Sequence, residues 1–234
     1  MMIEVTDLSY SVPNKPHILD SITFQLPSGS FFVVVGENGA GKTTLLDILM
    51  GFRRRTSGAV SVLDADPQTD PWQARARIAY LSEKVDMPGD WETREYLEFH
   101  RRFYSSYDLA DETNLLRVFG LASTGRIGNL SAGEIRRVQI VAALATQPQV
   151  LIADEITAVL DIQGRKRFLD LLKERQRMKR LTVVLATNVP EGLDSYADYV
   201  LLIRKGSQVA FAPLGEFLED ETELARAVLH RLEE

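Results

Sequence analysis

The chain has 234 residues, 45% hydrophobic and 26% charged, with a formal net charge of −6. That length suits one large domain or two small lobes on a shared core, and the negative balance offers no basic field to draw nucleic acid. No apolar run reaches the roughly 18 residues of a membrane-spanning helix, the start Met1-Met2-Ile3-Glu4 lacks the pattern of an export signal, and the absence of cysteine excludes disulfides and thiolate metal sites, so a cytoplasmic protein is expected.

Residues 3–10 and 21–26 cluster or alternate apolar side chains, with turn residues at 13–16 and 27–29, so the chain opens as β structure. Phe31, Phe32, Val33, Val34 and Val35 predict a buried strand. A glycine-rich stretch follows, then a helical pattern over 44–51. Further strands are expected at 58–63 and 78–82. Between about 88 and 128, Trp91, Tyr96, Leu97, Phe99 and Phe103, then Leu115, Leu116, Val118 and Phe119, recur at helical spacing. This predicts a helical lobe (88–128) inserted into an α/β core formed by 1–87 and 129–234. Apolar strands return at 150–153, 182–186 and 199–203, alternating with helices near 132–146 and 163–179. Continuous apolar strands separated by helices imply a mostly parallel sheet covered on both faces. A hairpin turn is expected at 204–207, leading into 208–211. An amphipathic helix within 215–234 closes the chain.

Gly36-Glu37-Asn38-Gly39-Ala40-Gly41-Lys42-Thr43 is a complete phosphate loop, G-x-x-x-x-G-K-S/T, set between a strand and a helix as the motif requires. Its glycines let backbone N–H groups turn onto phosphate oxygens. The helix start, with Thr44, adds a positive dipole end. Lys42 is expected on the β/γ-phosphates and the Thr43 hydroxyl on Mg²⁺. A nucleotide bound with magnesium is therefore the expected ligand. Such a loop needs a carboxylate across from it. Val150-Leu151-Ile152-Ala153 bury a strand and leave Asp154 at its carboxyl end, where ligands bind in open α/β sheets. Glu155 follows and is expected to face elsewhere, so Asp154 is assigned to the metal and Glu155 to the attacking water.

Leu130-Ser131-Ala132-Gly133-Glu134 starts a helix. Ser131 and Glu134 fit a capping box on their own account. The order of phosphate loop, helical lobe, L-S-x-G-x and then a D-E strand end resembles ABC-type ATPases, whose signature is commonly L-S-G-G-Q. The resemblance covers nearly the whole chain. It implies a P-loop NTPase core with an N-terminal antiparallel β subdomain and an inserted helical lobe, binding ATP and Mg²⁺. It also implies a homodimer or a heterodimer with another ATP-binding subunit, Ser131 and Gly133 of one subunit reaching the triphosphate held by the other. A separately encoded transmembrane permease would complete the transporter, meeting this chain on its helical lobe, at the inner face of the cell membrane. Exporter-like members look most similar, and no nucleic acid partner is expected. By the same resemblance Tyr10 matches the aromatic residue that stacks on adenine, although the residue alone reads equally as a half-buried strand tyrosine. Glu83 stands where the family usually has glutamine, at the metal. Residues 157–161 resemble the S-x-L-D segment of the dimer interface, with Ile156 in place of proline.

Three departures bear on turnover. Asn188 follows Thr187 where the family has a switch histidine; it can hydrogen-bond the γ-phosphate but carries no proton, so slow hydrolysis is expected. Ala132 and Glu134 replace glycine and glutamine of the signature. Two rival readings follow: a soluble ABC-type ATPase acting on nucleic acid or ribosomes, and a nucleotide-gated scaffold with little turnover. The basic residues of 165–180 are expected on a solvated helix face, and those of 53–55 at a helix C-terminus.

Overall fold

The computed structural model describes residues 1–13, 15–82, 86–158 and 160–233. In chain order, the first part supplies β1 (Ile3–Val12), β2 (Lys15–Leu26), β3 (Phe31–Val35), α1 (Lys42–Leu49), β4 (Ser57–Val62), α2 (Pro71–Arg75) and β5 (Ile78–Ser82). The lobe follows with α3 (Thr93–Phe103) and α4 (Leu109–Phe119) and returns through a 3-10 turn at Ile127–Asn129. The remainder is α5 (Ala132–Ala145), β6 (Val150–Asp154), α6 (Ile162–Lys179), β7 (Thr182–Thr187), β8 (Tyr199–Arg204), β9 (Ser207–Pro213), α7 (Leu214–Leu218) and α8 (Leu224–Glu233).

Among the described residues nine strands form one sheet in the order β4-β1-β2-β9-β8-β3-β7-β6-β5. The run from β8 through β3, β7 and β6 to β5 is parallel, whereas β1 pairs antiparallel with both β2 and β4. Alternation along the central strand builds two cores. Phe31, Val33 and Val35 pack with α5, α6 and the lobe. Phe32 and Val34 pack with α1 and the antiparallel strands. Each of these side chains is essentially removed from water, a gain of about 1.5–3 kcal/mol apiece.

The structure differs from the expectations at three places. Helix α2 was not foreseen; it is five residues long, with Pro71 at its first position and the Asp70 side chain accepting from the Gln73 N–H, too short to show a period. The single helix expected over the last twenty residues is two. Glu219 breaks it with φ 52°, and acidic residues crowd 219–223. Arg231 of α8 bridges back to the Phe217 carbonyl and to Glu219. The basic residues of α6 are also more engaged than a solvated face: Arg175 is buried and bonded to Asp111 of α4 at 2.6 and 2.7 Å and to the Leu144 carbonyl of α5, and Lys173 reaches Asp198.

Candidate nucleotide site

Strand β3 ends at the loop and α1 begins at Lys42, so the loop lies at the carboxyl edge of the parallel strands. Gly41 caps the helix with φ 110°, and a Cβ there would come within 2.8 Å of the Ile18 carbonyl. A Cβ on Gly36 would sit 2.5 Å from the Ile203 carbonyl. Both positions therefore exclude a side chain on steric grounds. The first turn of α1 carries no acidic residue, so its amide end is left to an anion.

Asp154 continues the face of Val150 and Ile152 along β6, which is the face carrying α1. Alternation alone thus brings it to Thr43, whose Oγ1 donates to Asp154 Oδ2 at 2.8 Å. The same period would turn Glu155 to the opposite face. Instead Glu155 takes φ 56°, and its N–H donates to the Ala186 carbonyl. That left-handed residue costs on the order of 1 kcal/mol and swings the carboxylate back over the loop. Glu155 Oε1 meets Lys42 Nζ at 3.0 Å, which corrects the expectation that it faces elsewhere. The ammonium also donates to the Gly36 and Glu37 carbonyls. Asn188, at the end of β7, donates its backbone N–H toward Glu155 Oε2 and its side-chain amide to Asn38 Oδ1, at 3.4 and 3.3 Å. Burial, and after it the Asp154 charge, pushes the neighbouring Tyr80 phenol up to about 12.

Lys42, Thr43, Asp154, Glu155, Asn188 and Asn38 are thus brought together. Glu37, Gly39, Ala40 and Thr44 lie in the same loop and helix start. Glu83 lies outside the described residues, as does Val159 of the segment after β6. Ile156, in the family's proline position, is fully buried in the core. Tyr10 is half-buried on β1. The Arg53 guanidinium sits 5.4 Å from its ring centroid and donates to its hydroxyl, while Asp47 of α1 holds Arg53 in place. One face of that ring is therefore already occupied. Ser131 and Gly133 stand apart. Ser131 caps α5, accepts from the Glu134 N–H and donates its own hydroxyl to Glu134; that bond holds the Glu134 carboxyl below its usual range. A Cβ on Gly133 would meet nothing within 4 Å, so no internal packing asks for glycine there.

Sequence reasoning missed Arg53 as the cover of Tyr10, Asn38 as the partner of Asn188, and Arg75. It is Arg75, rather than the 53–55 run, that donates to the Met50 and Gly51 carbonyls at the end of α1. These pairings join distant segments and leave no local pattern.

Comparison with known proteins agrees with this geometry. The ABC transporter family profile matches residues 19–158. The zinc uptake system ATP-binding protein of Listeria monocytogenes is 29% identical over 87% of this chain and 83% of its own. The energy-coupling factor transporter ATP-binding protein of Enterococcus faecalis is 30% identical over 92% and 80%. A methionine import ATP-binding protein of Acinetobacter baylyi is 28% identical. The relatives named by direction are thus uptake and import systems, and the exporter-like expectation finds no support among them. A solved ATP-binding subunit of an ABC transporter superposes with a TM-score of 0.89 at 24% identity, covering 99% of this chain and all of that one. The chain therefore belongs to the ABC transporter family, in which it is an ATP-binding ATPase domain.

Proposed function

We propose that this chain is the ATP-hydrolysing subunit of a transporter whose membrane-spanning part is a separate chain. No helix among the described residues is long and apolar enough to cross a membrane, so the pore must come from a partner and this subunit would sit on the cytoplasmic face. The direction of transport follows the named relatives, uptake rather than export.

The observation that carries the reading is the convergence of Lys42, Thr43, Asp154 and Glu155 on one loop. The Thr43 hydroxyl and Asp154 carboxylate form a hard oxygen pair suited to Mg²⁺, which takes one or two protein oxygens and completes its shell with phosphates and water. When bound, the ion supplies charge neutralisation between the β- and γ-phosphates. Lys42 would hold the γ-phosphate once Glu155 leaves it, and the released Glu155 carboxylate would accept a proton from the attacking water. Ser131 and Gly133 would act on the nucleotide of a second subunit. Asn188 favours a second reading, a scaffold gated by nucleotide with slow turnover, because an amide cannot shuttle a proton.

Magnesium-dependent ATP turnover by the purified chain decides between these. Turnover that disappears in Glu155→Gln while ATP binding persists supports the ATPase. Binding with no turnover in the unaltered protein supports the scaffold. No binding under saturating magnesium refutes both.

A further inference from the structure

Large aromatic side chains stand in water at one place on this molecule. Trp72 on α2 is 76% exposed and Phe103 on α3 is 68% exposed. They face a groove of about 460 Å³ between the two helices, walled further by Arg75, Phe99, His100 and Tyr104. His100 and Tyr104 also border a smaller chamber of about 100 Å³ that runs inward to Ser82 at the end of β5. Exposed aromatic surface around a recess is the usual form of a binding hot spot.

The charges in the groove do not cancel. Arg75 packs against Phe52 and Trp72 with its cation 4.8 and 5.8 Å from their ring centroids. Its nitrogens donate only to the Met50 and Gly51 carbonyls, and no carboxylate among the described residues reaches it. Arg77, two residues on, likewise donates to the carbonyls of Gln73 and Leu63. On the α3 side the charges are matched internally, Arg101 with Glu112 and Arg102 with Glu98. Burial lowers the His100 pKa, so it adds no positive charge at neutral pH. The groove thus presents aromatic walls and an unmatched cation.

We propose that this groove docks a short amphipathic helix from a cytoplasmic loop of the membrane component, which seats an apolar side chain between Trp72 and Phe103 and a carboxylate on Arg75. The proposal rests on the reading above that a separate membrane component exists. A lipid surface matches the groove less well, because a flat bilayer cannot fill a chamber recessed behind His100. A second copy in a symmetric contact would bring two unmatched cations together. The chamber also gives docking a route to the nucleotide. Arg136 of α5 donates to the Ser82 carbonyl at 3.2 Å, so a side chain entering the chamber bears on both the end of β5 and the helix that starts at Ser131.

The test places photoreactive benzoylphenylalanine at position 103 of the full chain, irradiates native membranes and sequences the crosslinked peptide. The expected product is one cytoplasmic loop of a multi-span membrane protein, at an amphipathic segment bearing Asp or Glu. Arg75→Glu should then cut the crosslink about tenfold or more, and reversing the partner's acid to Arg should restore it. Because Arg75 also holds the end of α1, Trp72→Ala provides a second variant; it should lose the crosslink by a similar factor with ATP turnover of the purified chain unchanged. Crosslinks only to lipid, only to a second copy, or to nothing overturn the proposal. If the purified chain turns over no ATP, the functional reading fails instead, so the two failures are separable.

Discussion

Lys42 has three ammonium protons and three acceptors already in place: two loop carbonyls and Glu155. A phosphate can gain the charge only by displacing one, and Glu155 is the one free to move. Removing the Glu155 charge should therefore leave ATP affinity equal or higher while removing the group that takes the water's proton. Glu155→Gln is expected to lower kcat by about 100-fold or more with no rise in the ATP dissociation constant, both measurable on one preparation. A weakened affinity would mean that the carboxylate supports the loop rather than competing for its lysine. At position 188 the argument concerns protons. An amide does not titrate, so the pH profile of kcat should lack any step attributable to this residue. Asn188→His should introduce one near the imidazole's ordinary value, about 6.5, and raise kcat. An unchanged rate and profile would remove residue 188 from the site.

The elements are joined at points where one lost side chain should be felt at a distance. Asp111 of α4 accepts both contacts from the buried Arg175 of α6, and Gln147, just past α5, also donates to it. Asp111→Ala would strand a guanidinium on the Leu144 carbonyl alone, at a cost of about 3–5 kcal/mol; a melting temperature within a degree of the parent would show the pair to be dispensable. His100 links α3 to the chamber beside β5. Its pKa is lowered by burial, so folding favours the neutral ring. The stability this provides is present above the ordinary pKa of about 6.5 and is lost as pH falls through the lower folded value. His100→Phe, which can keep the ring contact with Tyr96, should flatten the decline in stability on acidification, as read by chemical denaturation across pH 5 to 7. The sequence exposes these elements unevenly, for physical reasons. The strands and the phosphate loop are legible because their signals are local: β-branched runs, glycines, a lysine and threonine at fixed spacing. The Asp154 contact follows from a period of two. The turn of Glu155 does not, because it depends on one left-handed residue held by the Ala186 carbonyl. Helix α2 is too short to show a period, and the break at Glu219 lies inside a run whose composition still reads as helix.

At the scale of the whole molecule the nucleotide site is half a site. The loop, the two acids and Asn188 converge within one chain, but Ser131 and Gly133 form their bonds at the start of α5 and make none to the phosphate loop among the described residues. Gly133 has open space where a Cβ would go, and it lies in the first turn of a helix, where glycine is intrinsically poor and an acid is favoured by the dipole. Within a single chain an aspartate there should therefore be harmless, or stabilising by about 0.5–1 kcal/mol. Against a triphosphate presented by a second subunit the same aspartate would put an anion where close approach is needed. In a Glu155→Gln background, ATP with magnesium should convert the chain to a dimer visible by sedimentation, and adding Gly133→Asp should abolish that dimer while leaving the melting temperature equal or higher. No effect of structure within one subunit predicts that combination of gain and loss. A double variant that still dimerises with ATP would show that this segment does not meet the nucleotide of a partner, and the site would have to be completed from elsewhere on the chain.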